Sequence, residues 1–219
     1  AVRKVATEAG WRLRTLLRVR RFFNTPEFFR MYKTQILSYV ESSTPGLYHA
    51  APSLFDRANR VQRRFLREVG VSELSALQDF RLAPLESRRD MAMLGALHKV
   101  VLGTAPAQLR ALFPELGVVE EHLWQHRLRH WRPLHNHQLH CEATFASSVV
   151  LKRSLFGLAR CYNKLPQNLV DTKSVKAFQR LLQGALRRHG ESGVDNWQLL
   201  YSSGWKGLTR TAFDALFSE

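Results

Sequence analysis

The fold is decided by residues 22–70, which read FFNTPEFFRMYKTQILSYVESSTPGLYHAAPSLFDRANRVQRRFLREVG. Apolar residues recur there at helical spacing on both sides of a stretch rich in proline and glycine, which predicts two helices joined by a tight connection. Thr25 is the expected N-cap of the first helix, because Pro26 would then stand at the first helical position. The run from Ser42 to Gly46 is expected to end that helix.

Each of these helices is predicted to bury one face and to leave the other in solvent. The residues expected to point inward are Phe29, Tyr32, Ile36, Leu37 and Val40 in the first helix and Leu54, Ala58, Val61, Phe65 and Val69 in the second. Ser53 is the expected N-cap of the second helix. Gly70 stands where a left-handed glycine commonly ends a helix.

Two arginine stripes are predicted on the outer surface. A helix preceding residue 22 has its apolar part at Trp11, Leu13, Leu16, Leu17 and Val19. It carries Arg14, Arg18 and Arg21 at positions i, i+4 and i+7, and the second helix of the central stretch repeats the pattern. A solvated surface is the alternative interpretation of one such stripe, but two favour contact with a phosphate backbone. The predicted nucleic-acid-binding residues are Arg12, Arg14, Arg18, Arg21, Arg60, Arg63, Arg64 and Arg67.

The composition supports a folded protein with a polyanionic partner. The chain has 219 residues, of which 45% are apolar, so it can bury a core. Its 33 Lys and Arg against 18 Asp and Glu give a net charge of +15, and nucleic acid is the first partner that such an excess predicts. No apolar run of about 20 residues occurs, so neither a membrane span nor a membrane partner is predicted. No motif indicates a small-molecule substrate.

The two cysteines, Cys141 and Cys161, are too few for a disulfide framework and favour a reducing compartment. The first residues lack the apolar core of a signal peptide, so the expected location is intracellular, cytoplasmic or nuclear. The sequence favours a helix from Ala1 with no cap, which is typical of a fragment of a longer protein. Removal of an initiator methionine is the alternative.

Further helices are predicted after Gly70. The expected segments are Val71 to Phe80 capped by Ser72, Glu86 to Leu102, a helix ended by Pro166, and one that begins near Ser174. Only Phe145–Leu151 has some strand character. Structural roles are expected for Met91, Met93 and Cys161 in the core, for His98 as a hydrogen-bonding residue between helices, and for Asn163 in tying a turn.

Six histidines and a cysteine are concentrated between residues 122 and 141. The candidate metal ligands are His122, His126, His130, His137, His140 and Cys141, because the first three share a helical face. The spacing matches neither CxxC nor HExxH, which argues against a metal site. The same segment also contains arginines and two tryptophans, so a basic, aromatic strip facing nucleic acid is the competing interpretation.

Three separated signatures, within roughly residues 11–183, resemble one family. The first comprises Tyr32-Lys33, Ile36–Tyr39, Glu41, Pro45, Tyr48, Val61–Arg67 and Gly70; the second comprises Leu82–Leu85, Arg88–Asp90, Ala92–Gly95 and His98–Gly103; the third comprises Tyr162-Asn163, Leu165-Pro166, Ser174-Val175 and Phe178-Gln179. In this order they resemble the region that follows the catalytic palm in reverse transcriptases of non-LTR (LINE-type) retrotransposons.

The resemblance implies a mainly α fold: an irregular, thumb-like helical bundle followed by a second small helical unit, with little or no β structure. The expected regions are a thumb-like bundle at 1–116, a His/Arg/Trp-rich connection at 117–143, a helical unit at 144–188 and a Gly- and Ser-punctuated tail at 189–219. It also implies a template–primer duplex of RNA and DNA as partner, together with the palm and fingers that precede the thumb in the same polyprotein.

A polymerase active site is not expected in this chain. Nucleotide polymerisation requires paired metal ions held by clustered carboxylates, and the sequence contains no Asp-Asp pair. No catalytic residue is therefore predicted, and magnesium is expected only in the absent palm. The alternative function is a stand-alone α-helical domain, without catalysis, that binds nucleic acid or serves as a protein adaptor.

Overall fold

The computed structural model describes residues 1–114, 135–140, 149–202 and 216–217. Across these residues the protein is mainly α-helical and contains no strand, which confirms the predicted fold class. The chain divides into two compact units, Ala1–Arg89 and Asp90–Glu219. That boundary falls inside the region 1–116 that the sequence assigns to the thumb-like bundle.

The first unit is built from helical segments that follow one another closely. They are α1 (Val2–Arg18), a 3-10 turn (Arg20–Phe22), α2 (Thr25–Tyr32), a π-helical segment (Lys33–Leu37), α3 (Ser38–Ser42), α4 (Thr44–Leu47), α5 (Pro52–Val69), α6 (Glu73–Phe80) and the start of α7 (Leu85–Val101). Helix α1 packs against α5 and also contacts α2, the π-helical segment and α3. The two central helices predicted by the sequence therefore lie in one bundle with α1.

The core of this unit is aromatic and centres on Phe65 of α5. The rings of Phe28 and Tyr32 stack on Phe65 at centroid distances of 5.5 and 4.1 Å, and Phe29 meets it edge-on at 5.0 Å. Such pairs contribute about 0.5–1.5 kcal/mol each beyond the area they bury. The predicted inward faces are confirmed, although Leu54 and Val69 are only half-buried.

Two predicted N-caps are wrong by one or two residues. Asn24, not Thr25, caps α2: its Oδ1 accepts from the Glu27 N–H at 3.0 Å, and the Glu27 carboxylate accepts from the Asn24 N–H at 3.1 Å. This reciprocal pair requires the cap to stand three residues before the glutamate. Helix α5 begins at Pro52 after Ala51, so Ser53 lies inside the helix.

The predicted helix ends at Gly70 and Ser72 are confirmed. Gly70 has a φ of +78°, in the left-handed region, and its N–H donates to the Leu66 and Arg67 carbonyls. The Ser72 side chain accepts from the Ser75 N–H at 3.0 Å and caps α6.

Polar side chains hold α5 against the start of α7. The amide of Asn59 donates to Glu86 at 2.5 Å and accepts from Arg89 at 3.1 Å, while Gln62 donates to the Ala83 carbonyl at 3.0 Å. Glu41 of α3 also forms an ion pair with Arg88. These contacts tie the first signature of the resemblance to the second.

The second unit contains the remainder of α7 and several further helices. These are α8 (Ala107–Ala111), α9 (Val149–Lys152), α10 (Leu155–Tyr162), α11 (Gln167–Val170), α12 (Val175–Glu191) and a 3-10 turn (Trp197–Leu199). The helix expected before Pro166 and the one expected near Ser174 are both present. Residues 149–152 are helical where the sequence suggested strand character; residues 145–148 lie outside the described part.

His98 lies at the centre of the second unit and has the predicted interhelical role. Its ring stacks on Phe178 at 4.1 Å, Nδ1 lies 2.9 Å from the Tyr162 hydroxyl, and Nε2 lies 2.7 Å from the Thr172 carbonyl. The carbonyl can only accept, so Nε2 donates and Nδ1 accepts from the tyrosine. Burial lowers the pKa of His98, which favours this neutral form.

Asn163 ties a turn, as the sequence predicts. Its amide donates to the Leu139 carbonyl and accepts from the Leu139 N–H, each at 2.9 Å. Cys161, Met91 and Met93 are buried, which confirms their expected place in the core. Burial raises the pKa of the Cys161 thiol to about 12, so the thiolate is disfavoured.

Candidate nucleic-acid interface

Helix α1 presents the first arginine stripe because its opposite face is buried. The buried residues of this helix are Val2, Ala6, Ala9, Leu13 and Leu16. Arg14 and Arg18 lie on the other side and are exposed, and Arg21 follows in the exposed 3-10 turn. No carboxylate pairs with these three side chains among the residues that the structure describes.

Arg12 differs from the rest of the predicted site. It is half-buried, pairs with Glu8 at 3.0 Å and donates to the Gln35 carbonyl at 3.1 Å. Its guanidinium also lies 4.1 Å above the Tyr39 ring. These contacts join α1 to the π-helical segment and α3, so Arg12 has a structural role whatever else it contacts.

Helix α5 presents the second stripe. The four predicted arginines, Arg60, Arg63, Arg64 and Arg67, are all exposed, and so is Arg57. Carboxylates divide this set: Arg63 lies 3.8 Å from Glu73 and 3.7 Å from Glu86, and Arg64 lies 3.8 Å from Glu68. Arg60 and Arg67 have no carboxylate partner within the described ranges. Their charges are therefore the least compensated of the four predicted on this helix.

The carboxyl-terminal ends of α1 and α5 meet. The Arg20 guanidinium donates to the Val69 carbonyl at 3.5 Å, one residue before the glycine that ends α5. Arg18, Arg21 and Arg67 stand near these two ends. A helix carboxyl terminus carries partial negative charge, which favours cations at these positions.

Trp11 is exposed, which contradicts its predicted place in the apolar part of α1. Its side chain is 59% exposed, and that of Phe22 is 67% exposed. The Arg14 guanidinium lies 5.6 Å from the Trp11 ring centre, and that of Arg21 lies 4.7 Å from the Phe22 ring centre. The spacing could have revealed this, because Trp11, Arg14 and Arg18 share one helical face at i, i+3 and i+7.

The histidine cluster is described only in part. His122, His126, His130 and Cys141 lie outside the described residues. Of the other two candidates, His137 has Nε2 at 3.8 Å from Asp171, and the His140 N–H donates to the Pro114 carbonyl at 2.8 Å. Within the described ranges no group of three metal-ligating side chains comes together.

His135 is a buried residue that the sequence did not single out. Its Nε2 lies 3.2 Å from the Tyr162 carbonyl, and its Nδ1 accepts from the His137 N–H at 3.1 Å. Burial is the main reason that the pKa of His135 is lowered to about 4. The ring is therefore neutral near pH 7 and serves the packing of the second unit.

The apolar faces of α2 and α5 are covered by the core of the first unit itself. If these faces were exposed, they would indicate a missing domain or an apolar partner. Because they are buried, they give no evidence for either. No helix in the described part of the chain is long and apolar enough to cross a membrane. Comparison of the chain with protein-family models, curated proteins and solved structures finds no match.

Proposed function

We propose that this chain corresponds to the thumb and C-terminal helical region of a non-LTR retrotransposon reverse transcriptase and binds a template–primer backbone of RNA and DNA. The contacts are made by the outer faces of α1 and α5, through Arg14, Arg18, Arg60 and Arg67 above all. The chain does not polymerise by itself, because the carboxylates that would hold magnesium belong to the palm in the family it resembles.

The observation that carries the proposal is the pair of adjoining cationic helices. Residues 1–89 contain 17 Lys and Arg against eight Asp and Glu, a net charge of +9. Arginines without a carboxylate partner in the described residues lie on the outer faces of both α1 and α5, and these two helices pack together. Guanidinium groups on such a surface contact phosphates without reading bases, as a thumb that follows a duplex must do.

The salt dependence of duplex affinity tests this proposal. We expect binding of a short fluorescent RNA–DNA duplex to weaken steeply between about 50 and 200 mM salt, because phosphate contacts release counterions. The Arg14/Arg18/Arg21→Ala variant should show a shallower slope, by up to about 0.9 for each phosphate contact removed. Fluorescence anisotropy at several salt concentrations measures both slopes.

Two double variants on α5 provide a matched comparison, since each removes two positive charges from the same helix. Arg60/Arg67→Ala should reduce the slope more than Arg63/Arg64→Ala, because Glu73, Glu86 and Glu68 lie within 3.8 Å of the second pair and offset part of its charge. If the salt slope of Arg14/Arg18/Arg21→Ala equals that of the unsubstituted chain, α1 does not contact the duplex. No binding to any nucleic acid at low salt would favour the adaptor function instead.

A further inference from the structure

Three large aromatic side chains on the first unit are exposed, Trp11, Phe22 and, to a smaller extent, Phe23, and the first two are the most exposed. Trp11 is 59% exposed and Phe22 is 67% exposed, whereas Phe28, Phe29 and Phe65 are almost fully buried. Trp11 lies in α1, and Phe22 is the last residue of the 3-10 turn that follows this helix.

Arginines stand beside and between these rings. We call the surface formed by Trp11, Arg14, Arg18, Arg21 and Phe22 the aromatic–arginine strip. Arg14 and Arg21 each place a guanidinium close to one ring, at 5.6 and 4.7 Å from the ring centres. Aromatic rings interleaved with cations are an arrangement with which proteins bind unpaired nucleotides.

A shallow hollow opens beside Trp11, lined also by Glu8, Arg12, Thr15 and Gln35. Glu8 brings a carboxylate to the hollow, but its charge is paired with Arg12 at 3.0 Å. The exposed Gln35 side chain supplies both a hydrogen-bond donor and an acceptor at the rim. The hollow therefore offers an aromatic wall and a neutral polar edge next to phosphate-binding cations.

We infer that the aromatic–arginine strip binds unpaired nucleotides, with one base stacked on Trp11 in the hollow and another on Phe22. The phosphates between them contact Arg14, Arg18 and Arg21. An aromatic ring can stack only on a base whose face is free, so the occupant is a single strand and not the interior of a duplex. The charge of the strip favours a polyanion over an apolar protein surface. This inference rests on the proposed function and adds unpaired nucleotides to the duplex backbone that the arginines of α1 contact.

The test uses the full chain with two probes, oligothymidylate and a blunt duplex of equal length. Trp11→Ala should weaken oligothymidylate binding about fivefold or more, because the stacking of a base on an aromatic ring is lost. Trp11→Phe should retain most of the affinity. Neither variant should change the affinity for the blunt duplex or its salt slope. Leu181→Ala, which removes another exposed apolar side chain, is the matched control.

Tryptophan fluorescence gives a second measurement. Oligothymidylate should quench the tryptophan fluorescence of the unsubstituted chain more than that of Trp11→Phe. The difference in quenching reports a base in contact with the Trp11 ring. Equal oligothymidylate affinity in the parent and in Trp11→Ala would overturn the inference, provided that both melt at the same temperature. If the chain binds the duplex but not oligothymidylate, the inference is overturned while the proposed function stands. If neither probe binds, both are wrong, and a protein surface becomes the occupant to test.

Discussion

At the scale of single residues, the hydroxyl of Tyr32 is an exception in a well-packed core. The side chain is fully buried and its ring stacks on Phe65, yet among the described residues the hydroxyl has no hydrogen-bond partner. Burial also raises the pKa of Tyr32 above its ordinary value, so the group stays neutral. A buried hydroxyl without a hydrogen-bond partner lowers the stability of the folded state, and a phenylalanine ring in the same place would avoid this cost.

Replacement of Tyr32 by Phe should therefore raise the free energy of unfolding by up to about 1 kcal/mol. Tyr162→Phe is the matched comparison, because that hydroxyl lies 2.9 Å from His98 Nδ1. Its removal should lower the stability by about 1–3 kcal/mol. Urea unfolding of both variants measures the difference. A loss of stability in Tyr32→Phe would mean that the hydroxyl has a partner after all.

At the scale of elements, glycines mark helix positions with opposite requirements. Gly70 ends α5 at a φ of +78°, a conformation that an L side chain rarely adopts. Gly10 lies inside α1 with no atom within 4 Å of the position that a Cβ would occupy. The backbone conformation at the end of α5 requires Gly70, whereas Gly10 only weakens α1.

Gly70→Ala should lower the free energy of unfolding by about 1 kcal/mol, because alanine is strained in the left-handed region. Gly10→Ala should raise it by about 0.5–1 kcal/mol, because alanine favours the helix and meets no neighbour. Thermal unfolding followed by circular dichroism compares them. Shifts in the same direction for both variants would contradict the assigned roles of the two glycines.

At the scale of the whole molecule, the buried histidines of the second unit are expected to make it sensitive to acid. Burial lowers the pKa of His98, His135 and His189, so their protonated forms are disfavoured in the folded state. The unfolded chain then binds protons more readily than the folded one below the ordinary histidine pKa of 6.5. The contribution of the neutral histidines to the free energy of unfolding is therefore fully present above pH 6.5, and it decreases as the pH falls toward 4.

We expect the melting temperature of this unit to fall between pH 6.5 and pH 4, the value to which the pKa of His135 is lowered. His135→Gln should flatten this dependence, because it removes the group whose protonation opposes folding. His49→Gln, at an exposed position in the first unit, should not. Scanning calorimetry across this pH range provides the comparison, and identical profiles for parent and His135→Gln would refute the assignment.

Much of the fold and part of the candidate site could be predicted because they depend on local periodicity. The inward faces of α2 and α5, the exposed arginines of α5 and the glycine at its end all follow from spacing within a few helical turns. The N-cap of α2 was harder to predict, since Asn24 and Thr25 are both good caps. Only the reciprocal hydrogen bonds between Asn24 and Glu27 select between them. The exposure of Trp11 was present in the pattern, because it shares a face with Arg14 and Arg18.

The sequence by itself thus determined a mainly helical, strongly basic protein and the helix faces on which its arginines stand. The tertiary structure alone decided which of those arginines keep their charge free for an anion. Arg63 meets Glu73 and Glu86, and Arg12 meets the Gln35 carbonyl, across separations of 10 to 23 residues. Such pairings depend on how distant helices pack, and helical periodicity carries no information about that packing. The same holds for the Tyr32 hydroxyl, which has no partner in the described part of the chain.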